Sequence, residues 1–240
     1  MNGSDTASFY RERRPAAGHP FVECWWEQRI GERAGEYVQR VLPDACADLI
    51  VTADGRATVV GPATSVQLPR LAGGARLRGL RLRTAAIGPV LRLPAHELRD
   101  LEVPLSDLFP AGTAARVAER IWRGDQSVAL DPDPGDRRVE HALNGLARPA
   151  ARIADVAGDL GMSERHLRRL VLAHTGLEPR TLRRVARFQR FLGLASGAVR
   201  PLVTLAADAG YTDQAHLSRE VRALSGLTPA ALLAERHPGR

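Results

Sequence analysis

The sequence predicts an α+β chain in two parts: an antiparallel β-barrel or sandwich with some helices, then an all-α domain. Three observations carry this. Between residues 21 and 84 short apolar runs alternate with Gly- and Pro-containing turns, the pattern of small antiparallel strands. Between residues 153 and 232 one helical pattern occurs twice, offset by 49 to 50 residues. Charge divides along the same line. Residues 150–240 hold 14 arginines against 8 acidic residues, whereas residues 1–149 hold 20 against 19. A chain of 240 residues has room for two compact domains. A basic half beside a near-neutral one suggests that only one of them meets phosphate.

Taken in order, residues 1–20 contain two prolines, two glycines and few apolar residues, and read as a flexible N-terminus. Residues 21–30, Phe-Val-Glu-Cys-Trp-Trp-Glu-Gln-Arg-Ile, read as a strand, 31–35 as a turn and 36–42 as a further strand. Residues 46–52 and 57–60 flank Ala53-Asp54-Gly55-Arg56, the turn chemistry of a hairpin. Residues 75–84 alternate arginine with small or apolar residues, and the alternation slips at Gly79-Leu80, which predicts a bulge there. From 85 to 122 the apolar spacing becomes helical, broken by Pro89, Pro94, Pro104 and Pro110, with 113–122 the clearest helix. Residues 21–123 thus form one expected domain. Residues 124–135, centred on Asp131-Pro132-Asp133-Pro134-Gly135, can neither continue a helix nor fill a core, and read as a linker. Residues 136–240 form the second domain. Asp136 is placed to cap its first helix, whose stripe is Val139, Ala142, Leu143 and Leu146.

The first copy of the repeat runs Ala157-Gly158-Asp159-Leu160-Gly161-Met162-Ser163, then Glu164-Arg165-His166-Leu167-Arg168-Arg169. The second runs Ala206-Ala207-Asp208-Ala209-Gly210-Tyr211-Thr212, then Asp213-Gln214-Ala215-His216-Leu217-Ser218-Arg219. An apolar helix, a glycine turn and a second amphipathic helix make a helix-turn-helix, which presents its second helix to the DNA major groove. Both copies close on Gly-Leu-x-Pro, at Gly176 and Gly226. The second copy's extra residue falls between its turn glycine and the helix leucine. In the first reading helix Leu167, Leu170, Val171 and His174 share one face, and Arg165, Arg168 and Arg169 the other. Such arginines pair with guanine O6 and N7 or hold phosphate; a merely solvated face is the alternative. In the second helix Gln214, Ser218 and Arg219 occupy the matching face, with Arg222 one turn on as a phosphate contact. Asp213 is the expected cap, Thr212 its alternative. Residues 180–196 join the motifs. Their Arg183, Arg184, Arg187 and Arg190 either face phosphate or keep the helix soluble.

This double pattern, from about Asp136 to Leu233, resembles the DNA-binding domain of the AraC/XylS family of transcription regulators. Valine and leucine stand where the family usually has phenylalanine, at Val171, Leu217 and Val221, exchanging one core residue for another. The N-terminal half resembles a cupin-like sensor domain of uncharacterised function found ahead of such domains. The matching stretches are Val22-Glu23-Cys24-Trp25-Trp26, residues 42–50, Gly79-Leu80-Arg81-Leu82-Arg83, Pro94-Ala95-His96-Glu97-Leu98 and Pro104-Leu105-Ser106-Asp107-Leu108. The resemblance implies a sequence-specific regulator that binds double-stranded DNA, with RNA polymerase as a partner if it activates. It leaves room for a small-molecule effector and for a homodimer through the N-terminal domain.

Effector candidates are Trp25, Trp26 and Cys46. Adjacent tryptophans in a strand point to opposite faces, so one lines a pocket or both serve packing and an interface. His19, His96 and His141 are the histidines of this half, and none pairs at the close spacing a cupin-type metal site needs; no metal, cofactor or catalytic residue is expected. Two other readings are an enzyme whose cupin-like half acts while the C-terminal half targets DNA, and a constitutive regulator with no effector. No run approaches about 18 apolar residues, so no membrane span is expected. The polar first 14 residues lack a signal core. The two cysteines, Cys24 and Cys46, fit a reducing cytoplasm.

Overall fold

The computed structural model describes residues 8–15, 19–32, 35–126, 130, 132, 136–149, 151–197 and 200–236. Most of the predicted linker, 124–135, lies outside the described residues. The aromatic run forms β2 (Val22–Arg29), flanked by β1 (Phe9–Arg13) on one side and β7 (Arg76–Leu82) on the other. Beyond β7 come β4 (Ala47–Thr52), β5 (Ala57–Val60) and β8 (Glu102–Pro104), giving an antiparallel sheet in the order β1-β2-β7-β4-β5-β8. A separate ribbon pairs β3 (Glu36–Val38) with β6 (Arg70–Ala72).

One face of the sheet carries Val22, Trp25, Leu49, Val51, Leu80 and Leu82. Against it pack α1 (Ile87–Leu91), α2 (Leu105–Leu108) and α3 (Ala111–Arg123), through Ile87, Leu91, Leu105, Val117 and Ile121. The helix expected at 113–122 is α3. It ends on Gly124, whose left-handed backbone (φ 70°) lets the closing N–H groups reach back to Arg120 and Ile121.

The opposite face carries a polar network. Trp26 Nε1 donates to Asp48 at 2.7 Å, and Arg81 Nε meets the same carboxylate at 3.2 Å. Arg81 also reaches Asp44 at 3.4 Å and Glu12 at 3.5 Å. Burial pushes the Asp48 carboxyl above its ordinary value, with Arg81 pulling it back. Burial likewise pushes the Cys24 thiol up to about 12 and raises Cys46, where Asp44 adds to the effect. Both thiols therefore stay protonated and weakly nucleophilic.

Two expectations for this half need correction. The segment 1–20, read as flexible, contains β1, registered against β2 from Phe9↔Arg29 to Arg13↔Trp25. All five β1 residues are exposed, so no buried face marked the strand in sequence. The bulge expected at Gly79-Leu80 lies instead on β2, between Val22 and Cys24. Gly79 has another purpose: the Trp26 indole lies across it, and a Cβ would overlap that ring.

The C-terminal half is all helical: α4 (Arg138–Leu146), α5 (Ile153–Asp159), α6 (Glu164–Thr175), α7 (Pro179–Ala195), α8 (Leu202–Ala209), α9 (Gln214–Ser225) and α10 (Pro229–Arg236). The predicted stripe of α4 is seated as expected, with Val139, Ala142 and Leu146 buried and Leu143 partly so. Two cores result. Ala142, Leu146, Val156, Leu167, Val171, Leu182 and Val185 fill the first. Phe188, Phe191, Leu205, Leu217, Val221, Leu224 and Leu232 fill the second. The residues standing in for the family's phenylalanines are all inside, with Val171, Leu217 and Val221 fully buried. Helix α7 contributes to both cores and so carries one motif at each end.

Candidate nucleic-acid interface

Each reading helix is set by the same local devices. Ser163 caps α6 by accepting from His166 N at 3.2 Å, and Asp213 caps α9 by accepting from His216 N at 2.6 Å. The caps lie 50 residues apart and the turn glycines 49, which puts the extra residue between turn and cap. Both helices have 12 residues and end on a glycine at φ 75°. Just before each glycine stands a buried hydroxyl that the sequence reading missed. Thr175 Oγ1 donates to Val171 O at 2.8 Å and accepts from Leu177 N at 3.2 Å. Ser225 Oγ does the same with Val221 O at 2.7 Å and Leu227 N at 3.2 Å. The signal was present: both copies read hydroxyl-Gly-Leu-x-Pro.

On α6, Arg165, Arg168 and Arg169 are exposed while Leu167 and Val171 are fully buried. Arg168 meets Glu164 at 2.9 Å. On α9, Gln214, Arg219 and Arg222 are exposed. Ser218 is half-buried, and its hydroxyl donates to Gln214 O at 2.8 Å. His174, expected on the core face, is part-buried with Nδ1 2.9 Å from Leu170 O.

Three of the four arginines singled out on α7 have partners within the chain. Arg184 pairs with Glu220 of α9 at 2.8 Å, and Arg190 donates to Ala147 O at 2.9 Å. Arg187 lies over the Tyr211 ring, 5.5 Å from its centroid. Burial pushes the Tyr211 hydroxyl up to about 12, against the pull of Arg187. Arg184 and Arg187 thus tie the second motif to α7, and Arg190 ties the end of α4 to it.

The N-terminal half touches both reading helices at their C-terminal ends. A Cβ on Gly176 would stand 2.7 Å from Ala95 O, and one on Gly88 2.8 Å from Ala173 O. At α9, Arg40 Nη1 donates to Ser225 O at 2.7 Å and Arg40 Nε to Glu235 at 2.9 Å. A 12-residue helix is about 18 Å long, so the capped ends that bear Arg165 and Gln214 stand well clear of this contact.

Of the effector candidates, Trp25 and Trp26 line one cleft of about 120 Å³, with Arg11, Arg13, Glu27, Arg78 and Ile121. Among the described residues Trp25 Nε1 is buried without a partner. Cys46 is not brought to this cleft; it sits at the start of β4, its N–H donating to Asp44 at 2.9 Å.

Two helix-turn-helix motifs on one joining helix, with an arginine face exposed on the first, define a DNA-binding transcription regulator. Residues 156–235 match the family described as a helix-turn-helix domain, and residues 14–104 match a domain of unknown function (DUF6597). The C-terminal part therefore carries a helix-turn-helix domain. Among solved structures it is similar to ToxT from Vibrio cholerae, with 12% identity over 96% of this chain and 98% of that one and a TM-score of 0.45. It is also similar to an AraC-type regulator from Chromobacterium violaceum, with 22% identity over 43% of this chain and 95% of that one and a TM-score of 0.40. No curated protein matches the sequence. Among the described residues no helix is long and apolar enough to cross a membrane.

Proposed function

We propose that one copy of this regulator reads two successive major grooves. Helix α6 reads through Arg165, Arg168 and Arg169, and α9 through Gln214, Ser218, Arg219 and Arg222. The supporting observation is exposure: every one of these residues except Ser218 is exposed with the N-terminal half docked. Helix α7 has 17 residues, or roughly 25 Å of rod, and the offsets of the reading helices bring their separation near the roughly 34 Å of one DNA turn. The site is then a pair of unlike elements about 10 base pairs apart. Selection of bound sequences from a random duplex pool by the full chain tests this. A bipartite, non-palindromic motif is expected, and a single or palindromic element overturns it. Inserting about five base pairs between the elements puts one on the far side of the duplex, and affinity should fall to that of a single element.

The reading divides the chain into residues 21–123 for sensing or dimerisation, a linker at 124–135 and DNA binding at 136–240. It requires no catalysis or cofactor, and binding to chromosomal DNA places the protein in the cytoplasm. RNA polymerase is the further partner if the protein activates, and the exposed β1 edge, with Phe9 and Tyr10, is where a homodimer would pair. The effector belongs in the cleft beside Trp25, where Glu27 pairs with Arg11 and Arg78 while Arg13 and an unpartnered indole N–H suit a small organic anion. A thermal-shift screen of such anions on the full chain should find one that raises the midpoint, and Arg13→Ala with Trp25→Phe should abolish that shift. A shift that survives both substitutions moves the effector elsewhere.

A further inference from the structure

Between β3 and β4 the chain crosses the seam between the two helix-turn-helix units. Within six residues it touches both units and the helix joining them. Arg40 holds the end of α9 and Glu235 of α10. Leu42 packs into the second core and Ala45 is buried in the first. Between them, Pro43 O accepts from Gln189 Nε2 of α7 at 2.6 Å. Both ends of this strap are fixed to the N-terminal half. Val41 exchanges backbone hydrogen bonds with Gln67, at 2.9 and 3.0 Å, and Asp44 meets Arg81 at 3.4 Å. Ala45 adopts a left-handed backbone (φ 65°), which a non-glycine residue holds only where its surroundings enforce it.

We propose that this strap, with Arg40 as its positioning residue, sets the spacing between the two DNA elements that the protein accepts. The inference rests on the two-groove reading. Helix α7 fixes the distance between the motifs along its axis, but a single rod resists rotation about that axis weakly. Six residues reach at most about 20 Å, and Arg40 grips α9 and α10 at a point off the axis of the rod. A tie placed there opposes roll of one motif against the other. One base pair of added spacing demands a rotation of about 36°, since the duplex turns once in 10 to 10.5 base pairs. The braced protein cannot follow that rotation; an unbraced one can.

The test uses the full chain as wild type, Arg40→Ala, Arg40→Lys and Gln189→Ala. Each protein selects from a random duplex pool. Affinities are then measured on the wild-type motif at its selected spacing and at one base pair more and less. Wild type should return a single spacing and lose on the order of tenfold at either neighbour, the scale of a charge-assisted hydrogen bond. Arg40→Ala should return a spread of spacings and bind all three with nearly equal affinity. Arg40→Lys keeps one of the two bonds and should fall between. A merely structural loss would weaken all three spacings by one factor, so the ratio between spacings is the diagnostic. Gln189→Ala carries the same comparison from the α7 side if Arg40→Ala does not fold. Variants that keep the wild-type ratio overturn the strap's role while leaving the two-groove reading intact. A wild type that selects no paired elements overturns both.

Discussion

Arg168 and Arg169 stand side by side on α6, but Arg168 holds Glu164 at 2.9 Å and, among the described residues, Arg169 has no such pair. Losing a bidentate contact to guanine costs about 1–3 kcal/mol, and that is the expected effect of Arg169→Ala on the selected site. Arg168→Ala should cost slightly less, because its contact first breaks an exposed helical ion pair worth about 0.3–0.5 kcal/mol. Gln214→Ala should cost less again and relax preference at the other end of the site. Isotherms on selected and scrambled duplexes check all three; equal losses on both duplexes would mean that these side chains hold phosphate only. Asp136 answers to pH rather than to DNA. Hydrogen bonding from Arg138 holds its carboxyl at about 2, against an ordinary 3.8. A depressed folded value stabilises the fold above the ordinary one, and that contribution is lost as pH falls toward 2. The melting temperature of Asp136→Asn should accordingly fall less than that of the parent between pH 4 and pH 2.

At the scale of elements, the helices of the C-terminal half were legible because caps, turn glycines and apolar stripes all agreed. Ser163, Gly161 and Leu167 each say the same thing about α6, and Asp213, Gly210 and Leu217 about α9. Both strands of the 46–60 hairpin were legible from Asp54-Gly55. What stayed hidden was set by tertiary partners. Strand β1 exposes all five residues, so its sequence has no periodicity to show. Gly79 looked like a bulge because the ring that covers it comes from another strand. In α7 the arginines found Glu220, Tyr211 and Ala147 O, none of which its own pattern reveals. Of the site, the exposed faces of α6 and α9 were readable, whereas Arg40 was not, since 185 residues separate it from the carbonyl it binds. The paired hydroxyls make an element-level prediction. Thr175→Val leaves Leu177 N–H buried without its acceptor, and Ser225→Ala removes the acceptor of the part-buried Leu227 N–H. Each should cost about 1–3 kcal/mol of stability, read as a lowered midpoint in urea. An unchanged midpoint would mean that another acceptor takes over.

For the whole molecule, the excess of arginine in residues 150–240 sets a salt dependence. Log affinity should fall linearly with log salt, with a slope of about −0.9 for each phosphate neutralised, and a flat response to salt would remove the DNA-binding reading. The docked N-terminal half should steepen that slope little, because its own charge is nearly balanced. The strap has one more consequence, and it concerns where such a protein can be cut. On the proposed division the covalent joint between the halves is the linker at 124–135, yet Leu42 and Ala45 leave the first half to complete the two cores of the second. Severed at the linker, the C-terminal fragment keeps its motifs but has two unfilled apolar sockets facing water. A hybrid that grafts it onto a different sensor inherits the same gaps, unless the new partner brings side chains of matching size to the same two points. Exchange of parts in this architecture is therefore governed by a six-residue loop that is no part of the covalent joint.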